Sequence, residues 1–228
     1  MTLADLIASR DHVLVDFDGP VCAVFGNLTS RTVADRLKVL LGPDLAQHVA
    51  ASDDPFEVLG YASTVGPGTA AAVERQLRRL EAEAISAAPS TPGSTTAIRG
   101  LTAAGFTVTI VSNNGVDAIR TYLTLHDLAS VVRGVSGRTN ADPDTLKPDP
   151  FLLEQAMRSV GADAASCVMV GDSVSDIKAA HAAGTAVVAY ANKPGKREQF
   201  EPLEPDFIID DMTALLSGCA VPSAPDQT

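Results

Sequence analysis

The chain has no tryptophan, only 4% aromatic residues and three cysteines. With so few rings, Ala, Val and Leu must pack the core, and an apolar fraction of 46% over 228 residues suffices for one large domain or a domain with an insertion. Cys22, Cys167 and Cys219 show no CxxC spacing and are odd in number, so neither a disulfide framework nor a zinc site is expected, and the usage suits a reducing cytosol. Positive charge is also scarce: 17 Lys and Arg stand against 28 Asp and Glu, a net charge of -11. That balance argues against nucleic acid and against an anionic membrane surface, both of which call for clustered Lys and Arg. A small anionic substrate remains compatible, because a bound cation inverts the local field. No apolar run approaches the ~18 residues of a membrane span. Met1 to Arg10 lacks the basic start and apolar stretch of a secretory signal, so a cytoplasmic location is expected.

What is present alternates regularly. Apolar runs at His12–Val15, Thr107–Val111, Cys167–Val170 and Thr185–Tyr190 predict buried strands, with a short fifth at Phe207–Ile209 and a weaker edge strand within Ser130–Val135. The first four end in polar turns: Asp16-Phe17-Asp18-Gly19-Pro20, Ser112-Asn113-Asn114-Gly115, Gly171-Asp172-Ser173 and Asn192-Lys193-Pro194-Gly195. Amphipathic stretches at Ser94–Ala104, Pro150–Val160 and Ser173–Ala183 each stop at a glycine, a helix C-terminal signal. This alternation predicts a doubly wound parallel α/β sheet with its ligand beyond the carboxyl ends of the strands. Residues 22–88 read instead as helix throughout, including Thr29–Leu41 and a long helix Pro67–Ala88, with Pro89-Ser90-Thr91-Pro92-Gly93 as a hinge. The expected organisation is a core of residues 1–21 and 89–217, an α-helical cap of 22–88, and a disordered tail of 218–228.

Four carboxylates fall at strand ends: Asp16, Asp18, Asp172 and Asp176. If they converge they repel, at a cost of about 4 kcal/mol for a pair ~4 Å apart at an effective dielectric of about 20. Such a cluster is tolerable only if a cation binds or some carboxylates are protonated, and an all-oxygen set suits Mg²⁺, which in turn points to phosphate. Ser112 adds a hydroxyl, nearby backbone N–H groups at the next helix start add donors, and Lys147 adds positive charge. One aspartate can then attack as nucleophile while another exchanges the proton.

Asp16-Phe17-Asp18-Gly19, Ser112-Asn113, Lys147-Pro148 and Gly171-Asp172-Ser173-Val174-Ser175-Asp176 resemble, in order, the four motifs of the haloacid dehalogenase superfamily, in particular its phosphoglycolate phosphatase-like branch. The resemblance covers about residues 12 to 195. It implies a Rossmann-like sheet of order 5-4-1-2-3 and a phosphatase acting on a small phosphorylated metabolite. Asp16 would be the nucleophile and Asp18 the general acid/base. Ser112, Asn113 and Lys147 would hold the phosphoryl group, and Asp16, Asp18 (through its carbonyl), Asp172 and Asp176 would serve Mg²⁺. A monomer or homodimer is expected. Pro20 departs from the family pattern, where a polar residue is common.

Each signal has a plainer reading. Asp142-Pro143-Asp144 repeats the Asp-x-Asp spacing in a Pro-rich loop and reads as turn chemistry. Ser112-Asn113 can cap a helix, and Asp172 and Asp176 can be an acidic first turn. Lys193-Pro194 repeats Lys147-Pro148, but Lys147 has the expected place in the order; Lys193 would lie at the mouth of the site. Arg75, Arg78 and Arg79 read as a solvated face partnered by Glu74, Glu81 and Glu83. Arg31 and Asn27 are weak candidates for substrate contact, and Cys22 reads as a small buried hydrophobe. The rival functions are a β-phosphoglucomutase-type phosphomutase and a non-catalytic regulatory protein retaining the fold. Complete motif aspartates disfavour the latter.

Overall fold

The computed structural model describes residues 1–219. In chain order, helix α1 (Leu3–Ala8) leads into β1 (His12–Val15), followed by α2 (Ser30–Lys38), α3 (Gln47–Ala51), α4 (Pro55–Val65), α5 (Pro67–Ile85) and α6 (Ser94–Ala103). Then come β2 (Thr107–Gly115), α7 (Val116–Leu125), β3 (Gly134–Arg138), α8 (Phe151–Val160), β4 (Cys167–Gly171), α9 (Val174–Ala183), β5 (Ala186–Tyr190), α10 (Lys196–Phe200) and β6 (Phe207–Ile209). The strands form one parallel sheet in the order β3-β2-β1-β4-β5-β6. The anticipated order 5-4-1-2-3 is there, extended by β6 at the outer edge.

Both faces of the sheet are covered, which is why its strands are nearly continuous in Val, Ile, Leu and Ala. Alternate residues part to opposite sides: Val13, Val15, Val168 and Val170 pack with Leu6, Ile98, Ile119 and Leu215. Leu14, Met169, Val187 and Ala189 pack with Leu153, Ile177 and Phe200. The second cluster continues into the inserted helices through Leu37, Val58, Leu59, Val73, Leu77 and Leu80. Among the described residues no helix is long and apolar enough to cross a membrane.

The structure moves several expected boundaries. β2 runs through Gly115, so Ser112-Asn113 lies in an extended strand end, and α7 has Gly115 at its N-cap with no side-chain cap. The helix-capping reading of Ser112-Asn113 therefore fails. The edge strand lies at Gly134–Arg138, later than the run at Ser130–Val135, because Leu128 and Val131 pack into the core as a turn. Gly218, expected to open the tail, ends a 3₁₀ helix (Met212–Gly218) packed on α1; a Cβ there would lie 2.7 Å from the Ala4 carbonyl oxygen. The rest of that expected tail, from residue 220 on, lies outside the described residues.

The two chain segments joining the inserted helices to the sheet pair with each other. Cys22 bridges Ser90, the Ala23 N–H donates to the Pro89 carbonyl (3.0 Å), and the Thr91 N–H donates to the Val21 carbonyl (3.0 Å). The Thr91 hydroxyl donates to the Gly19 carbonyl, tying this ribbon to the loop after β1.

Candidate active site

Strand register sets the site. Val15 pairs with Ile110 on one side and Val170 on the other. The next residues along, Asp16, Val111 and Gly171, lie level at the carboxyl edge, with Ser112 and Asp172 one step beyond. The chain leaves β1 toward β2 on one side and returns to β4 on the other, so this edge is also the topological switch point.

Asp16, Asp172 and Asp176 are all buried, and one carboxylate oxygen of each lies within 4.8 Å of the others. Lys147 joins them: its Nζ donates to Asp16 Oδ1 (2.7 Å), Asp176 Oδ1 (2.5 Å) and the Val111 carbonyl (3.1 Å). Burial alone would lower the Lys147 pKa, but Asp16 and Asp176 hold it above the usual lysine value. Burial, then the neighbouring Asp176 charge, pushes the Asp16 carboxyl upward against the pull of Lys147. Asp176 is fixed at the start of α9 by a capping box: Ser173 Oγ accepts from the Asp176 N–H (3.2 Å), and Asp176 Oδ2 accepts from the Ser173 N–H (3.0 Å). Asp172 accepts from Lys196 Nζ and from Asn192 Nδ2 (2.9 Å).

Two glycines permit this crowding. At Gly19, with φ of 111°, a Cβ would sit 2.3 Å from Asp172 Cγ; at Gly171 a Cβ would sit 2.3 Å from the Asp176 Cβ. Asp18 Oδ1 accepts from the Val24 N–H (2.9 Å), and burial pushes its carboxyl up to about 6 despite that hydrogen bond. The oxygen-rich set fits a hard divalent cation such as Mg²⁺. A second observation agrees: Asn192 Oδ1, beside Asp172, is buried with no hydrogen-bond partner among the described residues, an acceptor that a cation-bound water would satisfy.

Ser112 lines the cavity, its Oγ donating to Asn114 Oδ1 (3.1 Å). Asn113 also lines it, but its side chain clamps the lysine loop: Oδ1 accepts from the Lys147 N–H (2.8 Å), and Nδ2 donates to the Lys147 carbonyl (3.1 Å). The cavity is about 630 Å³ and is also lined by Asp16, Asp18, Lys147, Asp172, Lys193 and Lys196, and by Asp54, Phe56 and Glu57 from the inserted helices. Asp176 lies buried outside its lining.

Arg31 is committed to Asp53 (2.8 Å) and Asn27 to the Ala87 carbonyl (2.7 Å), and neither lines this cavity. Asp142 accepts from the Asp144 N–H (3.1 Å) within a turn, in keeping with the turn reading. The solvated-face reading of α5 fails for Glu74 and Glu81, which are buried on Arg138 at 2.5 and 2.6 Å, although Arg78 does partner Glu74 (2.5 Å) as expected. Sequence reasoning missed Arg138, Asn192 and Lys196. Lys196 stands three residues beyond Lys193 and was detectable only as a second cation after a strand end.

Comparison with known proteins gives a consistent picture. A model for haloacid dehalogenase-like hydrolases matches residues 23–190, which include Ser112, Lys147, Asp172 and Asp176 but begin after Asp16 and Asp18. A phosphoglycolate phosphatase of Pseudomonas putida is 31% identical over 135 residues, 58% of this chain and 48% of that protein. One of Vibrio parahaemolyticus is 34% identical over 118 residues, 52% of this chain and 51% of that protein. The matches thus span about half the length of these relatives. Crystalline CbbY from Rhodobacter sphaeroides in complex with phosphate superposes with a TM-score of 0.71 at 17% identity, covering 93% of this chain and all of that one; it shares the fold.

Proposed function

Because the chain belongs to the haloacid dehalogenase-like hydrolase family, we propose that it is a Mg²⁺-dependent phosphatase that hydrolyses a small phosphomonoester through an aspartyl-phosphate on Asp16. The observation that carries this reading is the buried carboxylate trio of Asp16, Asp172 and Asp176, with Lys147 bonded to Asp16 and Asp176, and with Asp16, Asp172 and Lys147 lining one cavity.

In this reading an Asp16 carboxylate oxygen attacks phosphorus, the bond from phosphorus to the leaving oxygen breaks, and Asp18 gives that oxygen its proton. Asp18, now a carboxylate, takes a proton from water as the water attacks the acyl phosphate, releasing inorganic phosphate and free Asp16. A carboxyl held up to about 6 suits both tasks. Lys147 and the Ser112 hydroxyl neutralise and orient the phosphoryl oxygens, and any contact from Asn113 falls to its main chain. Asp16, the Asp18 carbonyl, Asp172 and Asp176 would serve Mg²⁺, which when bound supplies positive charge to the phosphoryl group. Residues 22–88 act as a cap that limits water, with the paired segments at Cys22 and Ser90 as its stalk.

The test is turnover of p-nitrophenyl phosphate with and without Mg²⁺. Parent activity is expected to vanish on chelation and to fall at least ~10³-fold in Asp16→Asn, the scale seen when a nucleophile is removed. Parent-like turnover by Asp16→Asn would rule the mechanism out.

A further inference from the structure

The inserted helices contribute a distinctive wall to the cavity. Apart from Ala23, their lining residues are Asp54, Phe56 and Glu57. Asp54 Oδ1 caps α4 through the Phe56 N–H (2.8 Å), and Glu57 Oε2 accepts from the Ser52 hydroxyl. Both acids are exposed, and neither forms an ion pair among the described residues. The acids at the catalytic edge differ, since Asp16 and Asp172 each hold a lysine. Two basic residues of the insertion are engaged elsewhere: Arg31 on Asp53, and Lys38 on Asp35. A smaller neighbouring cavity of about 450 Å³ shares Asp18, Asp54 and Phe56 and, unlike the first, has no Lys or Arg in its lining.

We propose that this wall selects the leaving group, and that the substrate is a phosphomonoester carrying a cationic amine held by the Phe56 ring, Asp54 and Glu57. The inference rests on the phosphatase reading and adds the class of alcohol. Two carboxylates without a cationic partner beside an aromatic face attract an ammonium group and repel a second carboxylate. Lys193, which lines the same cavity, has no ion-pair partner among the described residues, so it is the cation that could favour a carboxylate ester instead, and the test includes it. The carboxylate of phosphoglycolate, the substrate in the relatives' names, would meet the two acids.

Three two-carbon esters isolate the charge: O-phosphoethanolamine, 2-hydroxyethyl phosphate and phosphoglycolate. Each is measured with Mg²⁺ as a substrate and as a competitor of p-nitrophenyl phosphate hydrolysis. The amine ester is expected to lead the hydroxyl ester by about tenfold in kcat/KM or competition, with the carboxylate ester last. Glu57→Gln and Asp54→Asn, which retain the hydrogen bonds to Ser52 and the Phe56 N–H, are expected to remove most of that ratio. The ratio is taken within one preparation, so it does not depend on how much of a variant folds. Phosphoglycolate leading, with its lead lost in Lys193→Met, would overturn the proposal, as would an order unmoved by Glu57→Gln. Loss of turnover of every ester, p-nitrophenyl phosphate included, would instead strike the phosphatase reading beneath it.

Discussion

Arg138 shows how much one side chain can carry. It ends β3 with its guanidinium fully buried, donating from Nη1 to Glu74, from Nη2 to Glu81, and from Nε to the Asn113 carbonyl (3.2 Å). Glu81 also accepts from Asn114 Nδ2 and from the Gly115 N–H, both at 3.2 Å. The long inserted helix is thereby tied to the strand end that presents Ser112. Removing the cation leaves the buried Glu81 without its charge partner, while Glu74 keeps Arg78 (2.5 Å), so Arg138→Met is expected to lose about 3–5 kcal/mol of stability in denaturant unfolding. A loss within a few tenths of a kcal/mol would show that the network contributes little. This network was not legible in the sequence, because an arginine closing an edge strand looks like any surface arginine until its acidic partners, more than fifty residues away, are known. Asp16 and Asp172 were legible because buried apolar runs deliver them to strand ends.

The helix and strand elements follow from hydrophobic period and punctuation. α8 and α9 stop at Gly161 and Gly184, both left-handed, as their glycines predict. β2 was misjudged because its polar end, Ser112 to Gly115, looks like a turn; pairing of Gly115 with Arg138 across an irregular register keeps it extended. The start of α9 has a dual role, since the capping box that begins the helix also aims Asp176 at Lys147. Ser173→Ala is expected to cost about 1 kcal/mol, the usual scale for a lost N-cap, and to weaken Mg²⁺ binding by loosening Asp176. Thermal unfolding and Mg²⁺ titration of the variant check both. Unchanged Mg²⁺ affinity would separate the cap from the site.

For the whole molecule, a net charge of -11 makes the proposed anionic substrate dependent on one bound cation. If Mg²⁺ binds the folded chain alone, a concentration a hundredfold above its dissociation constant adds about 2.7 kcal/mol to stability. The melting temperature should therefore climb with Mg²⁺ in the parent and stay nearly flat in Asp172→Asn; equal shifts in both would place the ion elsewhere. The central claim is that Asp16 carries the phosphoryl group in turnover. Quenching the working enzyme and reducing it with borohydride converts an aspartyl-phosphate to homoserine, which peptide mass spectrometry locates. Homoserine at position 16, dependent on Mg²⁺ and substrate, is the expected result; modification at another residue, or none in an enzyme that is turning over, would contradict the account.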